Sequence, residues 1–233
     1  MKTILAIYAH PDDPEISCGG TMIKYAKEGS RVILVIMTKG EKGSQDPKAD
    51  LKEVAATRKK ETKDAAEFIG IKEVVHLDYL DGELEDNRKT REIVVKLIRI
   101  YKPDLIIAPD PTSVFMQNYI NHSDHRAIGW VVINSILPAG NWHFYHEQLE
   151  DGVEPHSTRE LYLSSSLEPN YAEDVSDFFE DKLKALFMHK SQFAPHAPHT
   201  REEFREFLTK RAEEIGKRYG MRYAEEFRRL VFV

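Results

Sequence analysis

Two short polar motifs combine side chains that bind divalent metals and activate water. In chain order they read His10-Pro11-Asp12-Asp13 and His122-Ser123-Asp124-His125. Imidazole nitrogens and carboxylate oxygens suit Zn²⁺, and two histidines with one carboxylate leave a coordination position open for water, as a catalytic zinc site requires. The chain has one cysteine, Cys18, so a cysteine-based zinc site is excluded. The two motifs therefore predict a catalytic zinc site.

The adjacent carboxylates Asp12 and Asp13 suggest a division of roles. Neighbouring side chains do not easily point the same way, so one can bind the metal while the other takes a proton from the water that the metal activates. Each motif also has an ordinary structural explanation. His-Pro-Asp occurs in turns, and Asn121 can cap a helix that carries a surface histidine. The joint occurrence of both motifs at the ends of predicted strands favours the metal site.

The elements that position these motifs alternate between strand and helix. Short apolar runs predict buried strands at Thr3–Tyr8, Arg31–Met37, Glu73–Leu77 and Asp104–Ala108. Helices are predicted over Gly20–Glu28, Leu51–Phe68 and Arg91–Tyr101, and from about His122. This alternation indicates an α/β, Rossmann-like fold with a mostly parallel sheet flanked by helices. Both motifs follow strands, at the carboxyl edge where open sheets bind ligands.

The second half of the chain is less regular. We predict a strand over Arg159–Ser165, helices over Asp177–His189 and Glu202–Tyr219, and an apolar tail, Tyr223–Val233, that pairs at a sheet edge. The chain has neither repeats nor a Gly/Ser linker. A single domain over residues 1–233 is therefore expected.

Composition excludes several classes of function. Hydrophobic residues make up 41% and charged residues 31%, which is typical of a globular protein. The net charge of −6 argues against non-specific nucleic-acid binding. The apolar segment at residues 1–9 is more typical of a buried strand than of a signal peptide. No apolar stretch of the sequence is long enough to span a membrane. We expect a soluble cytoplasmic protein. Dinucleotide and P-loop glycine motifs are absent from the sequence.

The first motif extends into a longer pattern. The run Ala9-His10-Pro11-Asp12-Asp13-Pro14-Glu15-Ile16-Ser17-Cys18-Gly19-Gly20-Thr21, with the second motif, resembles the signature of the PIG-L / LmbE-like deacetylase family. Weaker matches are Arg58-x-x-Glu61, His189-Lys190-Ser191-Gln192 and Tyr223–Phe227. The resemblance implies a zinc-dependent hydrolase that removes the N-acetyl group from an N-acetylglucosamine-containing small molecule. It also implies a homo-oligomer, a trimer or a hexamer.

The resemblance further implies residue roles. These are zinc ligands His10, Asp13 and His125, general base Asp12, oxyanion-facing His122 oriented by Asp124, and substrate-binding Arg58 and His189. Some relatives place a tyrosine two residues before the first histidine of the second motif. This chain has Ile120 there, with Tyr119 adjacent, and so departs from the pattern.

The spacing of the second motif gives a geometric expectation. If a helix begins near Asn121, His122 and His125 lie three residues apart and share one face. Asp124 is then expected to hydrogen-bond the far nitrogen of His122 and favour its protonated form, against the helix dipole. A protonated His122 would stabilise an oxyanion and supply a proton to the departing amine.

Three other functions fit parts of the pattern. Two histidines and a carboxylate also suit Fe(II), as in a non-haem iron oxygenase, although strand–helix alternation disfavours the β-rich barrels that usually hold such sites. A non-catalytic sugar- or nucleotide-binding module would not need Asp12 as a base. A deacetylase acting on another N-acyl small molecule is the third alternative. Glu15 either bonds a ligand histidine or occupies a helix first turn.

Overall fold

The computed structural model describes residues 1–116, 119–194 and 197–232. Its strands are β1 (Thr3–Tyr8), β2 (Arg31–Thr38), β3 (Glu73–Tyr79), β4 (Leu105–Pro109), β5 (Phe115–Met116), β6 (Tyr119–Ile120), β7 (Glu160–Ser164), β8 (Tyr171–Asp174) and β9 (Ala224–Val231). Its helices are α1 (Asp13–Lys27), α2 (Leu51–Ile69), α3 (Arg88–Tyr101), α4 (Ser123–Ala139), α5 (Glu147–Glu150), α6 (Phe179–Leu186) and α7 (Arg201–Tyr219), with a 3₁₀ turn at Lys190–Phe193. None of the described helices combines the length and apolarity that a membrane span needs.

The central sheet has seven strands in the order β3-β2-β1-β4-β7-β9-β8. Neighbouring strands from β3 to β7 pair in parallel. Strand β9 is antiparallel to both β7 and β8. The predicted α/β, Rossmann-like fold with a mostly parallel sheet is confirmed. The expected position of the C-terminal tail is wrong, because β8 covers β9 and the tail lies one strand in from the edge. Val233 lies outside the described residues.

The sheet is buried on both faces, which explains the uninterrupted apolar runs. Successive side chains of a strand point to opposite faces. Thus Ile4 and Ala6 pack in a cluster with side chains of α1, α2 and α6, whereas Leu5 and Ile7 pack in a cluster with side chains of α3 and α4. The two helical layers hold the sheet rigid, so the loops at its carboxyl edge have fixed starting points.

Several helices begin a few residues from their predicted starts, and the starts of α1 and α4 concern the site. Helix α1 starts at Asp13 rather than at Gly20, because a short first segment precedes a kink at Cys18 (φ −145°, ψ 25°). Helix α4 starts at Ser123, and His122 is its N-cap residue with non-helical backbone angles (φ −56°, ψ 142°). Each start places a motif at the boundary between loop and helix.

Candidate metal centre

Three ligand atoms meet at the carboxyl edge of the sheet. His10 follows β1, Asp13 begins α1, and His125 lies in the first turn of α4. His10 Nδ1 lies 3.2 Å from His125 Nε2 and 3.3 Å from Asp13 Oδ2, and His125 Nε2 lies 3.0 Å from Asp13 Oδ1. Two imidazole nitrogens and a carboxylate at such mutual distances fit a divalent cation such as zinc. The structure thus brings the three predicted ligands together.

The other nitrogen of each histidine is also held. His10 Nε2 lies 3.1 Å from Asp81 Oδ1 and 3.3 Å from Asp124 Oδ2. His125 Nδ1 lies 3.0 Å from Asn121 Oδ1. Metal-binding histidines usually direct their free nitrogen to a carboxylate or carbonyl oxygen, which fixes the tautomer and the ring plane. This second layer of contacts supports His10 Nδ1 and His125 Nε2 as the ligand atoms.

The charges of the site favour a bound cation. Burial alone would lower the pKa of His10, but the carboxylates of Asp13 and Asp124 raise it well above its usual value. Burial alone would raise the pKa of Asp13, but His125 and His10 lower it well below its usual value. The carboxylates of Asp13 and Asp124 both have lowered pKa values and remain ionised. Together they place negative charge around the imidazoles, and a bound metal ion would neutralise it.

Asp12 adopts a strained backbone beside the ligands. Its φ of 88° is uncommon for a residue with a side chain. Its Oδ1 lies 3.2 Å from Nη2 of Arg58. Burial raises the pKa of Asp12, and the positive charge of Arg58 opposes this rise. A carboxylate whose pKa is raised is a better proton acceptor near neutral pH than an unperturbed one.

Arg58 is buried rather than spread over a solvated helix face. Its side chain sits in a crevice between loops, where Nη1 donates to the carbonyl oxygen of Gly40 (2.9 Å) and Nη2 donates to that of Pro11 (2.5 Å). These bonds fix the loop that carries Asp12. The predicted contact of Arg58 with substrate stays a prediction. Besides the two carbonyl oxygens, Arg58 contacts the carboxylate of Asp12.

The kink in α1 is spanned by a buried ion pair. Lys182 Nζ donates to the carbonyl oxygen of Ile16 before the kink (2.9 Å) and to Glu225 Oε1 (2.5 Å). Glu225 accepts two backbone N–H groups just after the kink, at 3.0 and 2.7 Å. The pair thus satisfies the carbonyl that ends the first segment and the N–H groups that begin the second. It holds the short segment that starts with Asp13.

The glycine pair that follows the first motif, Gly19-Gly20, allows α1 to pack closely against its neighbours. A Cβ atom at Gly20 would lie 2.7 Å from Cβ of Val175, and one at Gly19 would lie 3.0 Å from Cγ of Lys182. Side chains at these two positions would therefore push away α6 and Val175, the residue that follows β8. The Gly-Gly pattern serves close packing here rather than phosphate binding.

The predicted role of Asp124 in orienting His122 is wrong. Asp124 is completely buried, and its carboxylate accepts two backbone N–H groups from the segment after β3 (2.7 and 3.3 Å) while it contacts His10. Only the backbone N–H of Asp124 meets His122, donating to its Nδ1 at 3.2 Å. The side chain points into the protein because it lies on the inner face of α4, where it positions a metal ligand.

The surroundings of His122 do not favour the protonated form that was predicted. Burial and the neighbouring positive charge of His10 lower the pKa of His122, and Asp124 opposes this only in part. His122 is an N-cap residue, so the argument from a shared helix face does not apply to it. Its ring nevertheless lies beside those of the two ligand histidines, with centroid distances of 4.8 Å to His10 and 5.5 Å to His125.

His189 is buried in this structure, and its predicted contact with substrate stays a prediction. Its side chain has no solvent exposure, and its Nε2 lies 3.4 Å from Oε2 of the equally buried Glu15. Burial alone would lower the pKa of His189, but the carboxylate of Glu15 raises it. Glu15 therefore pairs with His189 inside the protein rather than with a ligand histidine.

Sequence reasoning missed Asp81. This residue is 7% exposed, follows β3, and forms with His10 and His122 a second group of ligand-type atoms within 4.8 Å of one another. A usable signal existed, because Asp81 lies just beyond the carboxyl end of a predicted strand, as His10 does. No histidine lies near Asp81 in the sequence to mark it as part of a metal site. Its carboxylate therefore could not be distinguished from those of other acidic loop residues.

A cavity of about 560 Å³ opens from the metal centre. Asp13, Asn121 and His125 form part of its wall, and the far side is formed by α7. Its volume lies within the range of small-molecule sites. A smaller cavity of about 260 Å³ adjoins it and is lined by Asp12 and Ser191. The candidate ligands and the candidate base thus line two neighbouring cavities, whose walls share Ile16, His199 and Phe204.

Comparison with known proteins gives consistent matches. The profile described as "PIG-L: GlcNAc-PI de-N-acetylase" matches residues 5–136. The chain is 36% identical over 228 residues to diacetylchitobiose deacetylase of Thermococcus kodakarensis, covering 98% of this chain and 83% of that protein. It is 27% identical over 219 residues to a probable N-acetyl-alpha-D-glucosaminyl L-malate deacetylase 2 of Bacillus anthracis, covering 91% of each chain.

Solved structures agree with these relatives. N,N′-diacetylchitobiose deacetylase from Pyrococcus horikoshii, complexed with its inhibitor MPG, superposes with a TM-score of 0.91 at 36% identity and covers 99% of this chain and 84% of that chain. The conserved protein TT1542 from Thermus thermophilus shares the fold, with a TM-score of 0.79 at 24% identity, covering 100% of this chain and 98% of that chain.

Proposed function

The chain belongs to the PIG-L family of de-N-acetylases and is an amide hydrolase, and we propose that it removes the acetyl group from an N-acetylglucosamine unit of a small molecule. The products are acetate and a free amino sugar. The observation that carries this proposal is the convergence of His10, Asp13 and His125 at the wall of a cavity that Asp12 also borders through the adjoining space. Both named relatives act, by their names, on N-acetylglucosamine derivatives.

We propose zinc as the metal, held by His10 Nδ1, Asp13 and His125 Nε2. When bound, such an ion lowers the pKa of a water molecule and polarises a carbonyl oxygen. Asp124 and Asp81 keep His10 in the orientation that presents Nδ1. The ring nitrogens that do not face the metal, His10 Nε2 and His125 Nδ1, already contact oxygen atoms. The two histidines therefore lose little conformational freedom when a metal binds.

Asp12 is proposed as the general base. Its carboxylate borders the adjoining cavity beside the ligands, and its raised pKa makes it a competent acceptor of the proton lost by the attacking water. Arg58 keeps the carboxylate in place through the 3.2 Å contact and limits how far the pKa rises. We retain a contact between Arg58 and substrate hydroxyls as a subsidiary proposal, because its fork of donors suits them.

His122 is proposed as a neutral hydrogen-bond donor to the developing oxyanion. Its Nδ1 accepts the backbone N–H of Asp124, so a neutral ring carries its proton on Nε2. The lowered pKa therefore does not remove the donor, and a donor aimed at an oxyanion contributes about 3–4 kcal/mol. Donation of a proton to the leaving amine by His122 is not favoured by this pKa.

Two further proposals rest on the family resemblance alone. We propose that the protein is a homo-oligomer, a trimer or a hexamer, and that it works in the cytoplasm. Sedimentation velocity of the purified chain tests the first, and fractionation of expressing cells tests the second.

The deciding experiment measures acetate release together with metal content. Free N-acetylglucosamine, N,N′-diacetylchitobiose and N-acetylglucosaminyl malate are incubated with the metal-loaded protein, and elemental analysis reports the ion. We expect acetate from at least one substrate and about one zinc per chain, and we expect His125→Ala to lose both. Iron with a requirement for oxygen would indicate an oxygenase instead. Sugar binding without acetate release would indicate a binding module.

A further inference from the structure

Two consecutive residues of the loop after β2 hold both polar backbone groups of Asp81. Glu41 accepts the backbone N–H of Asp81 through both carboxylate oxygens, at 3.1 and 3.3 Å. Nζ of Lys42 donates to the backbone carbonyl oxygen of Asp81 at 2.6 Å. Oδ1 of Asp81 in turn lies 3.1 Å from Nε2 of His10. A chain of polar contacts therefore runs from the loop after β2, through Asp81, to a proposed metal ligand.

Glu41 is an unusual residue to bury in this loop. It is 6% exposed, and a carboxylate is costly to remove from water unless donors compensate its charge. Within the described residues, Glu41 has no ion-pair partner, and the backbone N–H of Asp81 is its one hydrogen-bond donor. A buried carboxylate with so few partners contributes little to stability. Its single contact therefore indicates a role in placing Asp81.

The position of Glu41 favours an indirect role over contact with substrate. Glu41 borders a cavity of about 610 Å³ whose described wall shares no residue with the two cavities beside the metal centre. Asp81 lies between Glu41 and His10. The ring orientation of a metal-binding histidine depends on the oxygen atoms that its other nitrogen meets. The placement of Asp81 therefore affects how His10 presents Nδ1 to a metal.

We propose that Glu41 and Lys42 are positioning residues of the metal centre. They fix the backbone of Asp81, and Asp81 then fixes the ring of His10. This inference rests on the proposed metal site. Neither Glu41 nor Lys42 contacts the metal, and each acts through Asp81. Because the two residues carry opposite charges, positioning and long-range electrostatic attraction predict different effects when they are replaced.

The test is the dissociation constant for zinc, measured by competition with a chromophoric chelator. Glu41→Ala should weaken zinc binding about tenfold, in the range that is usual when a contact behind a metal ligand is lost. Glu41→Gln keeps a side-chain oxygen that accepts the N–H of Asp81, so it should bind zinc nearly as tightly as the wild type. If the carboxylate acted by its charge alone, Glu41→Gln would weaken binding as much as Glu41→Ala does.

Lys42→Met gives the sharper comparison. Removing a positive charge near the site should by charge alone tighten zinc binding, whereas losing the bond to Asp81 should weaken it. Lys39→Met is the matched control, because Lys39 belongs to the same loop and its side chain forms neither a hydrogen bond nor an ion pair within the described residues. This control should not weaken zinc binding. Added to Asp81→Ala, the Glu41→Ala change should cause no further loss.

Three results would overturn the proposal. They are zinc binding in Lys42→Met that is as tight as in the wild type or tighter, equal losses in Glu41→Gln and Glu41→Ala, and a further loss when Glu41→Ala is added to Asp81→Ala. Circular dichroism checks folding, and if Glu41→Ala does not fold, Lys42→Met decides.

If the wild type binds no zinc, the proposed metal site fails by itself. Amide hydrogen exchange of Asp81 in the metal-free protein then tests the hold on its backbone separately. Exchange should be faster in Glu41→Ala than in the wild type, and equal rates would exclude the proposed role of Glu41.

Discussion

Lys182→Met removes one partner of the buried ion pair that spans the kink of α1. Lys182 is 4% exposed and so is Glu225, so the carboxylate left behind stays inside the protein. Methionine keeps most of the apolar stem that packs against Gly19. The substitution therefore removes the ammonium group with little change in volume, and its effect reports the polar contacts at the kink.

The expected loss follows from these contacts. Removing one partner of a buried ion pair typically costs about 3–5 kcal/mol, because the remaining charge is uncompensated. Glu225 keeps two backbone N–H donors, which places the expected loss near the lower end, at about 3 kcal/mol. The carbonyl oxygen of Ile16 also loses its side-chain donor. Such a loss is a large part of the stability of a typical domain.

Urea denaturation at pH 7, followed by circular dichroism, measures this loss. The matched control is Lys184→Met on the same helix, whose exposed ion pair with Asp181 should change the free energy of unfolding by less than about 0.5 kcal/mol. The reasoning is refuted if Lys182→Met loses no more free energy of unfolding than Lys184→Met.

Three further outcomes are expected. Asp12→Asn should keep its metal while kcat falls about 10²–10⁴-fold, the usual effect of losing a general base, and metal loss in elemental analysis would mean that Asp12 and Asp13 exchange roles. Arg99→Met should lower the free energy of unfolding by about 3 kcal/mol, since the buried guanidinium donates to five backbone carbonyl oxygens at and beyond the end of α4; an unchanged urea midpoint would contradict this. Burial alone would raise the pKa of Glu173, but Lys24 and two tyrosine hydroxyls lower it, so its stabilising effect is full above its unfolded value of about 4.3 and is lost as pH falls through the lower folded pKa. The stability difference between wild type and Glu173→Gln should therefore shrink between pH 7 and pH 3, and a constant difference would be inconsistent with it.

The sequence by itself determined the main elements and the two motifs that meet at the candidate site. Strand β1 matches its prediction residue for residue, and β2, β3 and β4 lie where their apolar runs predict them. These features depend on local periodicity, which neighbouring residues encode. The meeting of the two motifs was also predictable, because parallel strands end at a common edge and each motif directly follows its strand or hairpin. The choice of His10, Asp13 and His125 as the ligands came from the family resemblance.

Tertiary structure alone decided what each polar group contacts. The pairing of Asp124 with His10, and of His189 with Glu15, depends on how separate elements pack, and local sequence does not specify it. Glu225 reaches α1 because β9 inserts between β7 and β8, a choice that no apolar pattern in the tail specifies. Buried polar groups must find partners, but packing selects which ones. For this reason residue types predict the chemistry of the site, while long-range contacts determine which residue orients, charges or buries another.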